Sequence, residues 1–197
     1  MTPTVRGAAL ELLLRCEAAG QYANLALDNA QKRANFAGPD RALLTALFYA
    51  VVEHRITLDH IVDGLCDRSP AGVERRVRMI LRLGLAQLLY FDRIPDHAAI
   101  NETVSLAPAH SRGFVNALLR NFCRAGKAVP LPPRETDPVR YLSLAYSVPE
   151  DLAARFCAIF GTEGAERQLI AFSRVPEATV RVNTAKLTRE RLGKAIC

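Results

Sequence analysis

The sequence predicts an all-α bundle followed by a proline-rich linker and a short, incomplete α/β segment. Three observations predict it. Helical periodicity runs almost unbroken through residues 3–126, one stretch in its middle is apolar nearly all round, and prolines crowd into KAVPLPPRETDP just after it.

The opening residues, MTPTVRGAALELLLRCEAAG, join a basic residue to an apolar patch in the manner of a signal peptide. Glu11 interrupts that patch, and Leu10, Leu13 and Leu14 stand at helical spacing. The first helix of a cytosolic protein is therefore expected over about 4–19. Further helices are expected over about 22–34, 39–55, 57–66, 72–91, 95–109 and 111–125. Gly20 and Gly38 supply left-handed helix ends. Pro39 and Pro95 suit a first helical position, where a missing N–H costs nothing. Thr57 and Ser111 suit N-caps, with Asp59 favourable to the dipole in a first turn.

VERRVRMILRLGLAQLLYF is the centre of the bundle. At about 100° per residue, Val73, Val77, Met79, Ile80, Leu81, Leu83, Leu88 and Phe91 cover most of the circumference, so neighbouring helices must enclose it. Arg75, Arg78 and Arg82 share the one remaining strip, read as a basic seam at the surface. In FVNALLRNFCR, Phe114, Val115, Leu118, Leu119 and Phe122 form the buried face, while Asn116, Arg120 and then Arg124 point the other way.

The twelve residues after Gly126 hold four of the eleven prolines, which places a linker at 127–138. Short helices are expected over 139–146, 149–160 and 162–173, with a break at Pro176. A strand around Val180–Asn183 and a helix start close the sequence, and no second strand is in view to pair with the first.

No apolar run approaches the length of a membrane span. Five cysteines (Cys16, Cys66, Cys123, Cys157 and Cys197) show no CxxC and no His at ligand spacing, so no metal site is predicted; the first four read as reduced core thiols. The formal charge of +6 is unevenly distributed. Arg68 to Arg93 carries six arginines against Glu74 and Asp92, and Ser111 to Lys127 carries four cations and no acid. The net positive charge of those two stretches exceeds that of the whole chain, and a polyanionic partner fits them.

LRLGLAQLLYFDRIPDHAAINETVSLA followed by GFVNALLRNFCR resembles the NusB-like N-terminal domain of bacterial ribosomal RNA cytosine-C5 methyltransferases (the RsmB/Sun group). DRALLTALFYAVV at 40–52 and TLDHIV at 57–62 match in order, SVPEDLAARF resembles the opening of the methyltransferase N-terminal subdomain, and VRVNTAKLTRERL its first strand and helix. The resemblance implies a NusB-like RNA-recognition domain over 1–126, the linker 127–138, and the start of that subdomain over 139–197. It implies as partners the small-subunit ribosomal RNA and a catalytic domain not found in this sequence. In the family that domain binds S-adenosylmethionine on a Gly-rich loop, attacks carbon 6 of cytosine with a cysteine thiolate, and releases product with a second cysteine. Here the cysteines stand in RCE, LCD, FCR, FCA and IC rather than the family's Pro-Cys or Thr-Cys-Ser, and no Gly-rich loop follows a strand. No catalytic residue and no cofactor are expected within this sequence.

The candidate RNA contacts are Arg75, Arg78, Arg82, Arg112, Asn116, Arg120, Arg124 and Lys127. The alternative for the first three is a solvated face, and for Asn116 and Arg120 a docking face for the catalytic domain. His97 and Asn101, one turn apart, look like a catalytic pair but lack a nucleophile; they read as hydrogen-bonded fixers of bundle geometry, and Asp40, Arg41 and Asp59 as helix-start charges. Two rival functions stand beside RNA positioning. One is a NusB-type transcription antitermination factor assembled with a small ribosomal protein, and the other is a helical protein–protein interaction domain.

Overall fold

In the computed structural model, residues 4–20, 23–34, 36–66, 72–174 and 179–196 are described; Arg68, Pro176 and Cys197 lie outside them. The helices are α1 (Val5–Ala19), α2 (Ala23–Ala34), α3 (Gly38–Glu53), α4 (Arg55–Leu65), α5 (Arg75–Tyr90), α6 (Asp96–Ser105), α7 (Arg112–Arg124), α8 (Pro138–Tyr146), α9 (Glu150–Phe172) and α10 (Arg189–Ile196). The expected all-α fold is what forms.

Helix α5 is the axis of the bundle. Every residue from Met79 to Leu88 is buried, and α1, α3, α4, α6 and α7 pack around it. Ten consecutive residues sample all directions around a helix, so nothing but enclosure accommodates them. Each fully buried leucine there contributes roughly 1.5–3 kcal/mol. Gly84 marks the tightest crossing: a Cβ at this position would stand 2.9 Å from both Leu119 Cδ1 and Thr103 Cγ2. Beside it, buried Gln87 receives a 2.7 Å hydrogen bond from Arg6 Nε and donates to Leu83 O and Thr103 Oγ1, tying α1 and α6 to the axis.

A second, smaller core lies in α8 and α9, around Leu142, Ala153, Ala165 and Leu169. Asp137 caps α8 by accepting from the Arg140 N–H, and Pro138 opens the helix. Helix α9 bends at Gly161, whose φ of 68° and ψ of 169° separate two helical pieces near the expected boundary. This unit sits on α4. Thr57 Oγ1 donates to Leu144 O at 2.7 Å, and the Ile56 N–H, orphaned in the first turn of α4, donates to Ser147 Oγ at 3.1 Å. His60 Nε2 meets Pro130 O at 2.5 Å, which fastens the proline-rich segment along the same helix.

Several local expectations are corrected. Gly20 ends α1 in the left-handed region (φ 58°), but Gly38 begins α3 instead of closing α2. Thr57 is not an N-cap. Helix α4 starts at Arg55 directly after α3, the two sharing His54 as their boundary, so Thr57 lies inside α4 and its hydroxyl is free to reach α8. Pro95 precedes α6 rather than opening it, and the Ser111 hydroxyl donates to Pro108 O instead of capping α7. No strand forms at 180–183 among the described residues, as expected of an extended segment with no neighbouring strand to take its N–H groups. Cys16, Cys66, Cys123 and Cys157 are half-buried rather than enclosed.

Candidate nucleic-acid interface

The two basic stretches have opposite fates. On α5 the arginines are paired with carboxylates, and their exposure falls along the helix from Arg75, whose side chain is 52% exposed, to Arg82. Arg82 is 6% exposed. It grips Asp59 with two hydrogen bonds (Nε to Oδ1 at 2.7 Å, Nη2 to Oδ2 at 2.9 Å) and Glu17 with a third at 2.7 Å. Arg78 donates to Asp59 and Asp63 at 3.2 and 2.7 Å. Arg75 donates to Glu17 Oε2 at 2.8 Å and to Leu14 O at 3.0 Å, and Arg76 to Glu11 at 2.6 Å. Guanidinium groups from one helix thus meet carboxylates from α1 and α4, and the seam is a clasp between helices, open to solvent at Arg75 and Arg76 and enclosed at Arg82. Burial works against the charge of Arg82, yet the bonds it donates to Asp59 and Glu17 outweigh it and hold its pKa above the ordinary arginine value. At Glu17, burial is likewise outweighed by Arg75 and Arg82, which hold its carboxyl below the usual glutamate range. The expectation of an outward basic strip is corrected at Arg78 and Arg82, which turn inward; Arg75 is exposed as expected, with its charge paired to Glu17. Asp59 is corrected with it: it bridges two arginines and is not a helix-start charge.

On α7 the cations stay uncompensated. Residues 112–124 contain no acid, and Arg112, Arg120 and Arg124 are exposed and form no ion pair among the described residues. Their hydrogen bonds run to neutral oxygens: Arg112 Nε to Ala107 O at 3.1 Å, Arg120 Nε to Asn116 Oδ1 at 2.9 Å, and Arg124 to Asn121 Oδ1. Such bonds orient a guanidinium without cancelling its charge. Successive i, i+4 steps place Arg112, Asn116, Arg120 and Arg124 in one stripe about 18 Å long that winds by about 40° per step. Lys127 drops out of the set, because its ammonium donates to Asp96 at 2.6 Å.

The Arg124 end of the stripe, through its bond to Asn121, approaches a cleft of about 590 Å³ between α7 and residues 72–77. Its walls include Val73, Val77 and Leu118, and Glu74, His110 and Asn121 stand among its lining residues. Phe114 lines it too and is 41% exposed, against the expectation that it belongs to the buried face. The signal was available in the helical wheel: Phe114 falls about 80° from Phe122, at the edge of the apolar sector that Val115 and Leu119 fill.

His97 and Asn101 lie on the exposed side of α6 and do not fix the bundle. The thiols of Cys16 and Cys123 are pushed up, chiefly by burial, away from the thiolate form a nucleophile requires. Among the described residues no group of three or more His, Cys, Asp or Glu side chains could hold a metal ion, and no helix is long and apolar enough to cross a membrane.

Comparison with known proteins locates this arrangement. Residues 3–124 match the NusB family. The chain is 36% identical over 193 residues to a probable ribosomal RNA small subunit methyltransferase B of Bacillus subtilis, covering 96% of this chain and 42% of that protein. It is 32% identical over 182 residues to its counterpart in Synechocystis, covering 89% of this chain and 40% of that protein. The chain thus spans less than half the length of these curated relatives. The crystal structure of PH0851 superposes with a TM-score of 0.64 over 98% of this chain and 44% of that one, at 19% identity, so the helical arrangement recurs as a fold.

Proposed function

The chain belongs to the NusB family, and from that premise we propose that it is the RNA-recognition part of a small-subunit ribosomal RNA cytosine-C5 methyltransferase. In this reading the bundle holds ribosomal RNA through the α7 stripe. S-adenosylmethionine-dependent methylation is carried out by a catalytic domain within the length of the relatives that this chain does not span, in the cytoplasm. The observation that carries the reading is the contrast in compensation: Arg112, Arg120 and Arg124 keep their charge, whereas the α5 arginines are neutralised by carboxylates. Uncompensated guanidinium groups at this spacing suit a phosphate backbone. A free-standing antitermination factor is less well supported, because the likeness to the methyltransferases continues through the α8–α9 unit.

The test is an RNA titration of the purified chain at several salt concentrations. Arg120→Glu with Arg124→Glu is expected to weaken binding and to lower the slope of log affinity against log salt by about 0.7–0.9 for each phosphate no longer neutralised. Binding and slope equal to those of the unaltered protein would remove α7 from the interface.

A further inference from the structure

Phe114 stands in an unusual position. A single exposed phenylalanine is ordinary on a protein surface. This one lines a cleft whose other wall joins Val73 and Val77 to Glu74. The winding of the stripe brings its last member to the same rim: Arg124 is hydrogen-bonded to Asn121, and Asn121 lines the cleft. The cleft, at about 590 Å³, falls within the roughly 300–1,000 Å³ of small-molecule sites.

From this juxtaposition we propose that the cleft is a nucleobase pocket. It takes one unstacked base of an RNA strand whose phosphates lie along Arg120 and Arg124, with the base against the ring of Phe114. The inference rests on the proposed role of α7 in RNA binding and specifies what that surface selects. Charge decides which part of a nucleotide enters. Glu74 lines the cleft, its carboxylate 3.7 Å from His110 Nε2. A phosphate placed there would face a carboxylate, whereas a neutral base would meet no such repulsion, and Asn121 and Glu74 offer polar groups to its edge. A paired base in a duplex cannot reach such a pocket, so the site favours unpaired RNA.

The experiment uses the full 197-residue chain with a fluorescein-labelled single-stranded 12-mer RNA and a blunt RNA duplex of equal phosphate count, at one fixed salt concentration. Loss of one base–aromatic stack corresponds to about a five- to 150-fold change in affinity. Phe114→Ala is expected to weaken the single strand by a factor in that range while leaving the duplex unchanged, and Phe114→Trp to restore single-strand binding. Truncation of a side chain 41% exposed leaves the core intact, which a thermal melt of each variant checks. Equal affinity of Phe114→Ala and unaltered protein for the single strand, or an equal loss for both RNAs, would overturn the pocket while leaving the α7 reading in place. Absence of salt-dependent binding to either RNA would overturn both.

Discussion

Helices α5 and α7 carry the same residue type in comparable sequence settings, and the fold uses it in opposite ways. Arg82 is enclosed and held by Asp59 and Glu17; Arg120 and Arg124 are exposed and oriented only by amide oxygens. What separates them is the face on which each arginine sits and what lies across from it. Helix α5 is surrounded, so even its polar strip faces α1 and α4, and those helices bring carboxylates to it. Helix α7 lies at the edge, so its polar strip faces water. Local charge in a sequence is therefore weak evidence of a basic surface, because the compensating acids can come from anywhere in the chain. Glu17 precedes Arg82 by 65 positions.

The comparison breaks first on Arg82. Arg82→Ala is expected to cost about 3 kcal/mol, the lower part of the range for breaking a buried ion pair, because Asp59 and Glu17 are each 28% exposed and water reaches what is left. Urea denaturation measures it through the midpoint at unchanged slope. RNA affinity of the variant, under conditions where it is folded, is expected to match that of the unaltered chain. A loss under about 0.5 kcal/mol, the ordinary range for surface substitutions, would show that the clasp is not structural.

How much of this was legible in the sequence follows the same physics. The enclosure of α5 was legible, because all-round apolar periodicity has one solution, and so was the outward strip of α7, where Asn116 and Arg120 oppose Leu118, Leu119 and Phe122. The direction of the α5 strip was not: the wheel shows that Arg75, Arg78 and Arg82 share a face but not that α1 and α4 cover it. Thr57 was misplaced because the α3–α4 boundary has neither Gly nor Pro to mark it; it falls at His54, whose ring stacks on Tyr90 at a centroid distance of 3.9 Å. The docking of α8 on α4 was invisible for a related reason, since hydrogen bonds such as Ile56 to Ser147 join residues 91 positions apart. The cleft beside Phe114 is a property of two packed segments and has no linear signature.

A smaller effect probes the clasp from its acidic side. Glu17 has a pKa held down in the folded chain, burial being outweighed by the bonds from Arg75 and Arg82. A carboxylate of this kind adds stability that is fully present above its unfolded pKa, about 4.3, and is lost as pH falls through its lower folded value. Stability of the unaltered chain is accordingly expected to decline on acidification below about pH 4.5, with Glu17→Gln showing a shallower decline over the same interval. Urea midpoints taken across that interval read the difference; parallel curves for the two proteins would mean that Glu17 titrates alike in the folded and unfolded chain.

The smallest expected effect is the one that isolates α7. Arg120→Ala with Arg124→Ala removes two cations that hold no carboxylate and cover no core residue, so stability is expected to stay within about 0.5 kcal/mol of the unaltered chain. The sign favours slight stabilisation at low salt, since the chain carries a net charge of +6 and the removed groups lie on an acid-free helix. That gain should vanish as salt screens exposed charges beyond about 10 Å at 0.1 M. Together with weakened RNA binding in the same variant, an unmoved urea midpoint would assign these arginines to recognition alone. A destabilisation approaching that of Arg82→Ala would instead mean that α7 too is clasped, by groups its exposure does not reveal, and the contrast between the helices would fall.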